Sequence, residues 1–323
     1  MKSDSPLVSI VILNWNSMKY IRQCVEGVLQ QSYHRIEVVF VDNASSDESL
    51  KMCKERYPSF IFVENTENLG FTGGMNVGIN HAKGDYVLLL NTDVFLEKDY
   101  VESCVRMMAN NPEIACTAGW EYKWRNFKLT DEKVSGAWGI SCHLRLSGTN
   151  DDDNYVFGVS GSFPMFRMSA VQDVIDKRGY FFDVKFGTGW EDTEVRFFML
   201  YLGYKTKLNK ETRAWHVGSA SDNEHIGMFE KNLNYQERIF RNRMYVIDRY
   251  INNIFPLWSL YIKGFNIILL VYIAIFHHKS LVSYFRGRRE FLNNKRHRIK
   301  QREILRRNMQ ISKNEVLTFI KGM

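Results

Sequence analysis

The chain has 323 residues, 45% of them apolar, and a formal net charge of +7, a composition that can bury one large core, or a core domain plus a smaller appendage, and that excludes a disordered chain. The charge is uneven: residues 277–323 hold 13 Lys and Arg against 3 Glu, leaving 30 basic and 33 acidic residues before them, so the body is near −3 and the tail near +10. That points the tail towards an anionic membrane surface, and we expect no nucleic-acid partner.

Near the start, Leu7-Val8-Ser9-Ile10-Val11-Ile12-Leu13 is too short an apolar run for a signal peptide and reads as a first core strand. Further strands are expected at Ile36–Val41, Phe60–Val63 and Tyr86–Leu90. Between the second and third, Ser45-Ser46-Asp47-Glu48 has the spacing of a capping box and predicts a helix to about Arg56, before Pro58. This alternation means βαβ units and a parallel sheet, with Asn14, Asp42 and Asp93 at one edge. Residues 113–190 are less regular and read as loops and short strands around a pocket, with an acidic loop at Asp151-Asp152-Asp153. A helix is expected from Glu191 to Leu202, stopped by Gly203, and one or two more over residues 224–251. Leu257–Phe276 is mostly apolar but interrupted by Lys263, Gly264 and Asn266. With the aromatic and basic residues near its ends, it suits an interfacial or re-entrant helix pair on an anionic cytoplasmic leaflet better than a span. We therefore divide the chain into a domain of residues 1–250 and a membrane-associating helical region of residues 251–323. Cys24, Cys53, Cys104, Cys116 and Cys142 are odd in number, widely spaced and never in a CxxC pair. That argues against a disulfide framework or structural zinc and predicts a reducing compartment.

Asn91-Thr92-Asp93 follows the apolar strand Tyr86–Leu90, at the edge where open α/β sheets bind ligands. By itself Asn-x-Asp is ordinary turn chemistry, and His216 is a lone histidine. Together with the acids at Trp190-Glu191-Asp192-Thr193-Glu194 they offer a carboxylate and an imidazole for a divalent cation and a carboxylate as base. Glu191 and Asp192 also have a structural reading, since acids favour a helix N-terminus and Asp192 could pair with Arg196. The Gly- and Asn-rich stretch Asn68–Gly78 could bring backbone N–H groups to a diphosphate or be a tight turn. It is not a dinucleotide fingerprint, because Asn14-Trp15-Asn16 stands where that should begin.

In their order along the chain these segments resemble inverting glycosyltransferase family 2, in particular its rhamnosyltransferase-like branch. The resemblance runs from Val8 to about Tyr250, through Val8–Asn16, Val41–Asp47, Asn68–Gly78, Leu88–Asp93, Gly158–Arg167, Trp190–Glu194, His216 and Arg241-Asn242. It implies an α/β GT-A fold, a Rossmann-like, mostly parallel sheet flanked by helices, with the C-terminal helical region appended. It also implies a nucleotide-diphosphate-sugar donor and Mn²⁺ or Mg²⁺. By the same resemblance Asp42 would contact the nucleobase, and Asn14 and Asn76 would line the nucleotide pocket, with Asn68, Gly70 and Asn91 also on the donor side. Asp93 and His216 would hold the metal, Arg241 would add positive charge at the diphosphate, and Asp192, with Glu191 beside it, would be the catalytic base. The family's Asp-x-Asp appears here as Asn91-Thr92-Asp93, as is frequent in that branch. The expected activity is transfer of one sugar, with inversion, to a lipid-linked glycan on the cytoplasmic face of the cell membrane. The rival readings are a sugar nucleotidyltransferase and a catalytically silent membrane adaptor of the same fold.

Overall fold

The computed structural model describes residues 5–135, 137–141, 146–147, 155–218 and 227–321; Asp151-Asp152-Asp153 and Cys142 lie outside them. The chain opens with β1 (Val8–Asn14), α1 (Ile21–Leu29), β2 (Ile36–Asp42), α2 (Ser49–Arg56), β3 (Ile61–Glu64), α3 (Gly70–His81), β4 (Tyr86–Asn91), β5 (Val94–Leu96) and α4 (Tyr100–Asn110). The four expected strands are β1 to β4, each within a residue of its expected bounds. Alternation of β-branched runs with amphipathic segments made them readable. The expected capping box does not form. Ser45 Oγ accepts N–H groups from the end of β1, the Asn14 amide at 3.0 Å and the Asn16 backbone at 3.0 Å. The helix begins later, at Ser49, whose N–H donates to Asp47 Oδ1 at 3.1 Å.

The middle of the chain is more regular than its composition suggests. It holds β6 (Ile114–Arg125), β7 (Lys128–Ser135), β8 (Ala137–Ser141), β9 (Leu146–Ser147), β10 (Gly158–Val159), β11 (Met165–Arg167) and α5 (Met168–Arg178). Then come α6 (Glu191–Tyr201), β12 (Lys205–His216), α7 (Leu233–Val246) with a π-turn over Ile247–Ile251, α8 (Pro256–Phe276), α9 (Leu281–Asn293), α10 (Lys295–Asn308), α11 (Lys313–Thr318) and β13 (Ile320–Lys321). The main sheet has the order β3-β2-β1-β4-β11-β6-β12-β5, with β7 added to β6. β1 to β4, β6 and β12 run one way; β11, β5 and β7 run the other. The carboxyl ends of six strands, among them Asn14, Asp42, Asn91 and His216, therefore share one edge.

β1 and β4 are buried on both faces, as covered parallel strands are. Helix α3 presses closely on β1 and β2: a Cβ on Gly78 would lie 2.2 Å from Val11 Cγ1 and 3.0 Å from Val41 Cγ2, and one on Gly74 would lie 2.4 Å from Leu13 Cδ1. These two glycines serve helix–sheet packing.

The helices after residue 250 are docked on what precedes them. Where α9 crosses α7, a Cβ on Gly287 would sit 2.6 Å from the Glu237 carbonyl oxygen, so the backbones nearly touch. Arg298 and Arg302 of α10 pair with Asp248 at 3.0 and 3.2 Å, and β13 pairs in parallel with β8. Part of the tail's positive charge is thus used inside the protein. Among the described residues no helix is long and apolar enough to cross a membrane.

Candidate active site

The left end of the shared edge is a polar network around Asn14. Its amide nitrogen donates to Asp42 Oδ1 at 2.7 Å and to the hydroxyls of Ser45 and Ser49 at 3.0 and 2.8 Å. Asp42 Oδ2 accepts the Ser45 N–H at 2.9 Å. Asn14 and Asp42 are fully or almost fully buried, so they are held rigidly where β1 and β2 end in register. Asn68 Oδ1 accepts the Asn43 amide at 3.0 Å and the Gly70 N–H at 2.8 Å. Gly70, at φ +70°, makes the turn into α3, and the Thr72 N–H of that first turn donates to the Gly187 carbonyl at 3.1 Å.

At the centre, β4 ends at Asn91, and Asp93 faces His216 from the end of β12. His216 Nε2 lies 3.3 Å from Asp93 Oδ2, and its Nδ1 lies 2.8 Å from Glu121 Oε1 on β6. Burial disfavours the charged imidazole, but the two carboxylates outweigh it and push His216 up to about 10. Without a metal ion the ring is a cation bridging two acids. Sequence reasoning missed Glu121. It is a charged residue within an otherwise largely apolar strand, 95 positions from its partner.

The expected metal ligands form a suitable donor set. A carboxylate on one imidazole nitrogen fixes the ring and leaves the other for an ion, and Glu121 stands in that position. Among the described residues no group of three or more His, Cys, Asp or Glu side chains is arranged to hold a metal alone. Two protein ligands completed by phosphate and water is the usual arrangement for Mg²⁺ in phosphate-transfer sites.

To the right, β11 lies antiparallel to β4, and the Asn91 N–H donates to the Ser162 carbonyl at 2.9 Å. This places Gly161 beside the start of α6, where a Cβ would come 2.9 Å from Asp192 Oδ2. The approach to α6 is a tight left-handed path, with Gly187 at φ +66°, Gly189 at +87° and Trp190 at +69°. Asn242 of α7 holds it by donating its amide to the carbonyls of Phe186, Thr188 and Gly189 at 2.8, 3.3 and 2.7 Å. Asp192 Oδ1 accepts the Thr193 N–H at 2.6 Å. Arg196, its possible structural partner, donates instead to Cys116 Sγ at 3.1 Å. Burial, reinforced by the charge of Asp192, raises Glu191 to about 8, and its Oε2 has no hydrogen-bond partner. At neutral pH Glu191 is therefore largely uncharged.

The structure brings Asn14, Asp42, Asn91, Asp93, His216, Glu191 and Asp192 to one edge, with Asn68 and Gly70 beside it. Two expected residues have partners of their own within the protein. Arg241 is a correction: its Nη1 is bound to both oxygens of Glu290, at 2.7 and 2.8 Å, and its Nη2 to the carbonyls of Lys185 and Phe186 at 2.8 and 3.2 Å. It braces the approach to α6. The Asn76 amide is held in a two-way pair with the Phe182 backbone, at 2.8 and 2.9 Å, which fixes its orientation.

Against known proteins, residues 9–175 match the family described as Glycosyl transferase family 2. The chain is 36% identical over 114 residues to a chondroitin synthase of Escherichia coli, covering 34% of this chain and 16% of that protein. It is 33% identical over 102 residues to Glycosyltransferase GlyG of Streptococcus pneumoniae serotype 4, covering 31% and 34%. The chain thus spans about a third or less of these curated relatives. A mannosyltransferase from Pyrobaculum calidifontis, solved with GDP-Man and Mn²⁺, superposes with a TM-score of 0.55 at 15% identity, over 88% of this chain and 74% of that one. TarS of S. aureus, residues 1–349 with UDP, gives 0.50 at 14% identity over 90% and 91%. At this identity the two structures speak for the fold, which is GT-A.

Proposed function

Because the chain belongs to glycosyl transferase family 2, we propose that it is an inverting glycosyltransferase. It moves a sugar from a nucleotide-diphosphate-sugar, dTDP-rhamnose or a UDP-sugar, to a hydroxyl of a lipid-linked glycan at the cytoplasmic face of the cell membrane. The observation that carries this reading is the meeting of the Asp93–His216 pair and the α6 acids at one sheet edge, with Gly161 leaving room for Asp192.

In this reading the Asn14–Asp42 network receives the nucleobase end of the donor. Asp93 and His216 hold Mn²⁺ or Mg²⁺, which when bound neutralises the departing diphosphate. Asp192 accepts the proton of the acceptor hydroxyl, and that oxygen attacks the anomeric carbon opposite the leaving group, so configuration inverts without a covalent sugar–enzyme intermediate. Glu191, neutral near pH 7, leaves Asp192 as the base.

The surface of α8 supports the membrane part. Leu260, Ile267, Ile268, Ile275 and Phe276 are 65–73% exposed, with Val271 on the same helix and Phe285 on α9 also exposed. Lys263, Lys279, Arg286, Arg288 and Arg289 are exposed around them. Apolar anchors rimmed by cations suit a helix lying in an anionic interface. Wild type should therefore co-sediment with phosphatidylglycerol vesicles and Ile268→Asp/Ile275→Asp should not; equal binding would remove the membrane reading.

The catalytic reading is tested by thermal shift with UDP, dTDP and GDP, each with and without Mn²⁺. A ligand at 100 times its Kd stabilises by about 2.7 kcal/mol. A metal-dependent shift with one nucleotide is expected; none with any would favour a silent adaptor.

A further inference from the structure

The β6–β7 hairpin closes at the Arg125–Lys128 pair, so Asn126-Phe127 is a two-residue turn, with φ of +47° and +59°. Such turns favour Asn followed by Gly, and a bulky residue in the second place is strained. Phe127 is nevertheless there, and its side chain is 51% exposed. Its ring stands 5.7 Å from Tyr20 and 6.4 Å from Trp124, and those two rings are 5.8 Å apart. Trp124 is buried and braced from behind by Phe95 at 6.2 Å. Strain retained at an exposed position is a reason to look for function.

The three rings line a cavity of about 140 Å³ together with Lys19, Asn126 and Val217. The Lys19 ammonium lies 4.8 Å above the Tyr20 ring. Val217 follows His216 directly, and its N–H donates to the Asp93 carbonyl at 3.1 Å, so the cavity adjoins the proposed metal ligands. It is lined from the loop that follows β1 (Lys19, Tyr20), from the β6–β7 hairpin (Trp124, Asn126, Phe127) and from the residue after β12 (Val217).

A pyranose ring has an apolar C–H face and a rim of hydroxyls. Aromatic faces bury the former, and an ammonium and an amide bind the latter. We propose that this cavity is a subsite for a sugar residue of the acceptor glycan, one or more residues away from the hydroxyl that is glycosylated, with Phe127 as its stacking platform. The inference rests on the transferase reading above.

The test uses the full chain and its Phe127→Gly, Phe127→Leu and Phe127→Tyr variants. Each is read for melting temperature, for nucleotide-induced thermal shift with Mn²⁺, and for binding to a printed panel of hexose, N-acetylhexosamine and deoxyhexose di- to tetrasaccharides. We expect wild type and Phe127→Tyr to bind the same glycan. Phe127→Leu, which covers Trp124 without a π face, and Phe127→Gly, which relaxes the turn, should each lose at least tenfold. The nucleotide shift should be unchanged in all four. Equal glycan binding by all four, or none by wild type, overturns the subsite. Loss of the nucleotide shift with Phe127→Leu overturns it in favour of a donor contact. Absence of that shift in wild type is a failure of the transferase reading, recorded separately from the glycan panel.

Discussion

Two glutamates one turn apart on α6 meet very different surroundings. Glu191, half-buried beside Asp192 at the helix start, has one oxygen unpartnered and its carboxyl raised to about 8. Glu194 is fully buried; its Oε2 is likewise unpartnered, but its Oε1 accepts from Arg178 at 2.8 Å, from Arg249 at 2.5 Å and from the Tyr250 hydroxyl at 2.5 Å. Below it Arg249 reaches Asp183 at 2.8 Å, and His297 of α10 reaches the same Asp183 oxygen at 2.8 Å. The glutamate under the helix is thus tied to two arginines and a tyrosine, while the one at its half-buried start is not. The ionic core holds the turn still while the acids at its end remain free for chemistry.

The largest effect expected on the open side is that of Asp192→Asn, a loss of about 10²–10⁴-fold in turnover with an unchanged melting temperature. Glu191→Gln should cost far less at pH 7, because the native side chain is already mostly neutral there. Steady-state rates of the two variants check the contrast, and equal losses would erase the division of roles.

On the paired side, Arg249→Met removes the cation shared by Glu194 and Asp183. Breaking a buried ion pair from one side costs about 3–5 kcal/mol, a large share of the roughly 5–15 kcal/mol that holds most domains together. Denaturant unfolding should show that loss, while the fraction still folded should retain its nucleotide-induced thermal shift. A stability change under about 1 kcal/mol would mean that the network contributes little beyond packing.

Glu121 lies between the two regions, since it is buried but acts on the site through His216. Glu121→Gln should weaken Mn²⁺ by about 10–100-fold, read as a displaced Mn²⁺ titration of the nucleotide shift. Unchanged metal dependence would reduce Glu121 to a core hydrogen bond.

The open side was largely legible in the sequence, and the paired side was not. Asn14, Asp42 and Asp93 end apolar runs of fixed period, so their place follows from sheet topology. Asp192 and His216 drew notice as a carboxylate and an imidazole that could act with Asp93, and the family resemblance then supplied their roles. Glu121, Asp183, Arg249 and His297 find partners 55 to 114 positions away, where no local pattern reports the pairing. The same blindness misassigned Arg241, because the acid that occupies it, Glu290, lies in the tail read as a basic surface. Asn68–Gly78 was readable as special but not for its reason: Gly74 and Gly78 are small so that α3 can lie on β1, which emerges only once helix and strand are placed together.

The smallest expected effect concerns how far the paired side depends on charge. Burial alone would raise Asp183, but the His297 hydrogen bond and the Arg249 charge outweigh it and hold the carboxyl well below the usual range. A carboxyl depressed on folding stabilises the protein fully above its unfolded value of roughly 3.9 and loses that contribution as pH falls towards the folded one. In Asp183→Asn the charge is gone at every pH. The melting-temperature gap between wild type and variant should accordingly be constant from neutral pH down to about pH 5 and narrow steadily below about pH 4. A gap that stayed constant through the acid range would mean that shape and hydrogen bonding, which the amide partly preserves, dominate over charge. The contrast with Glu191 would then lie in partner number alone.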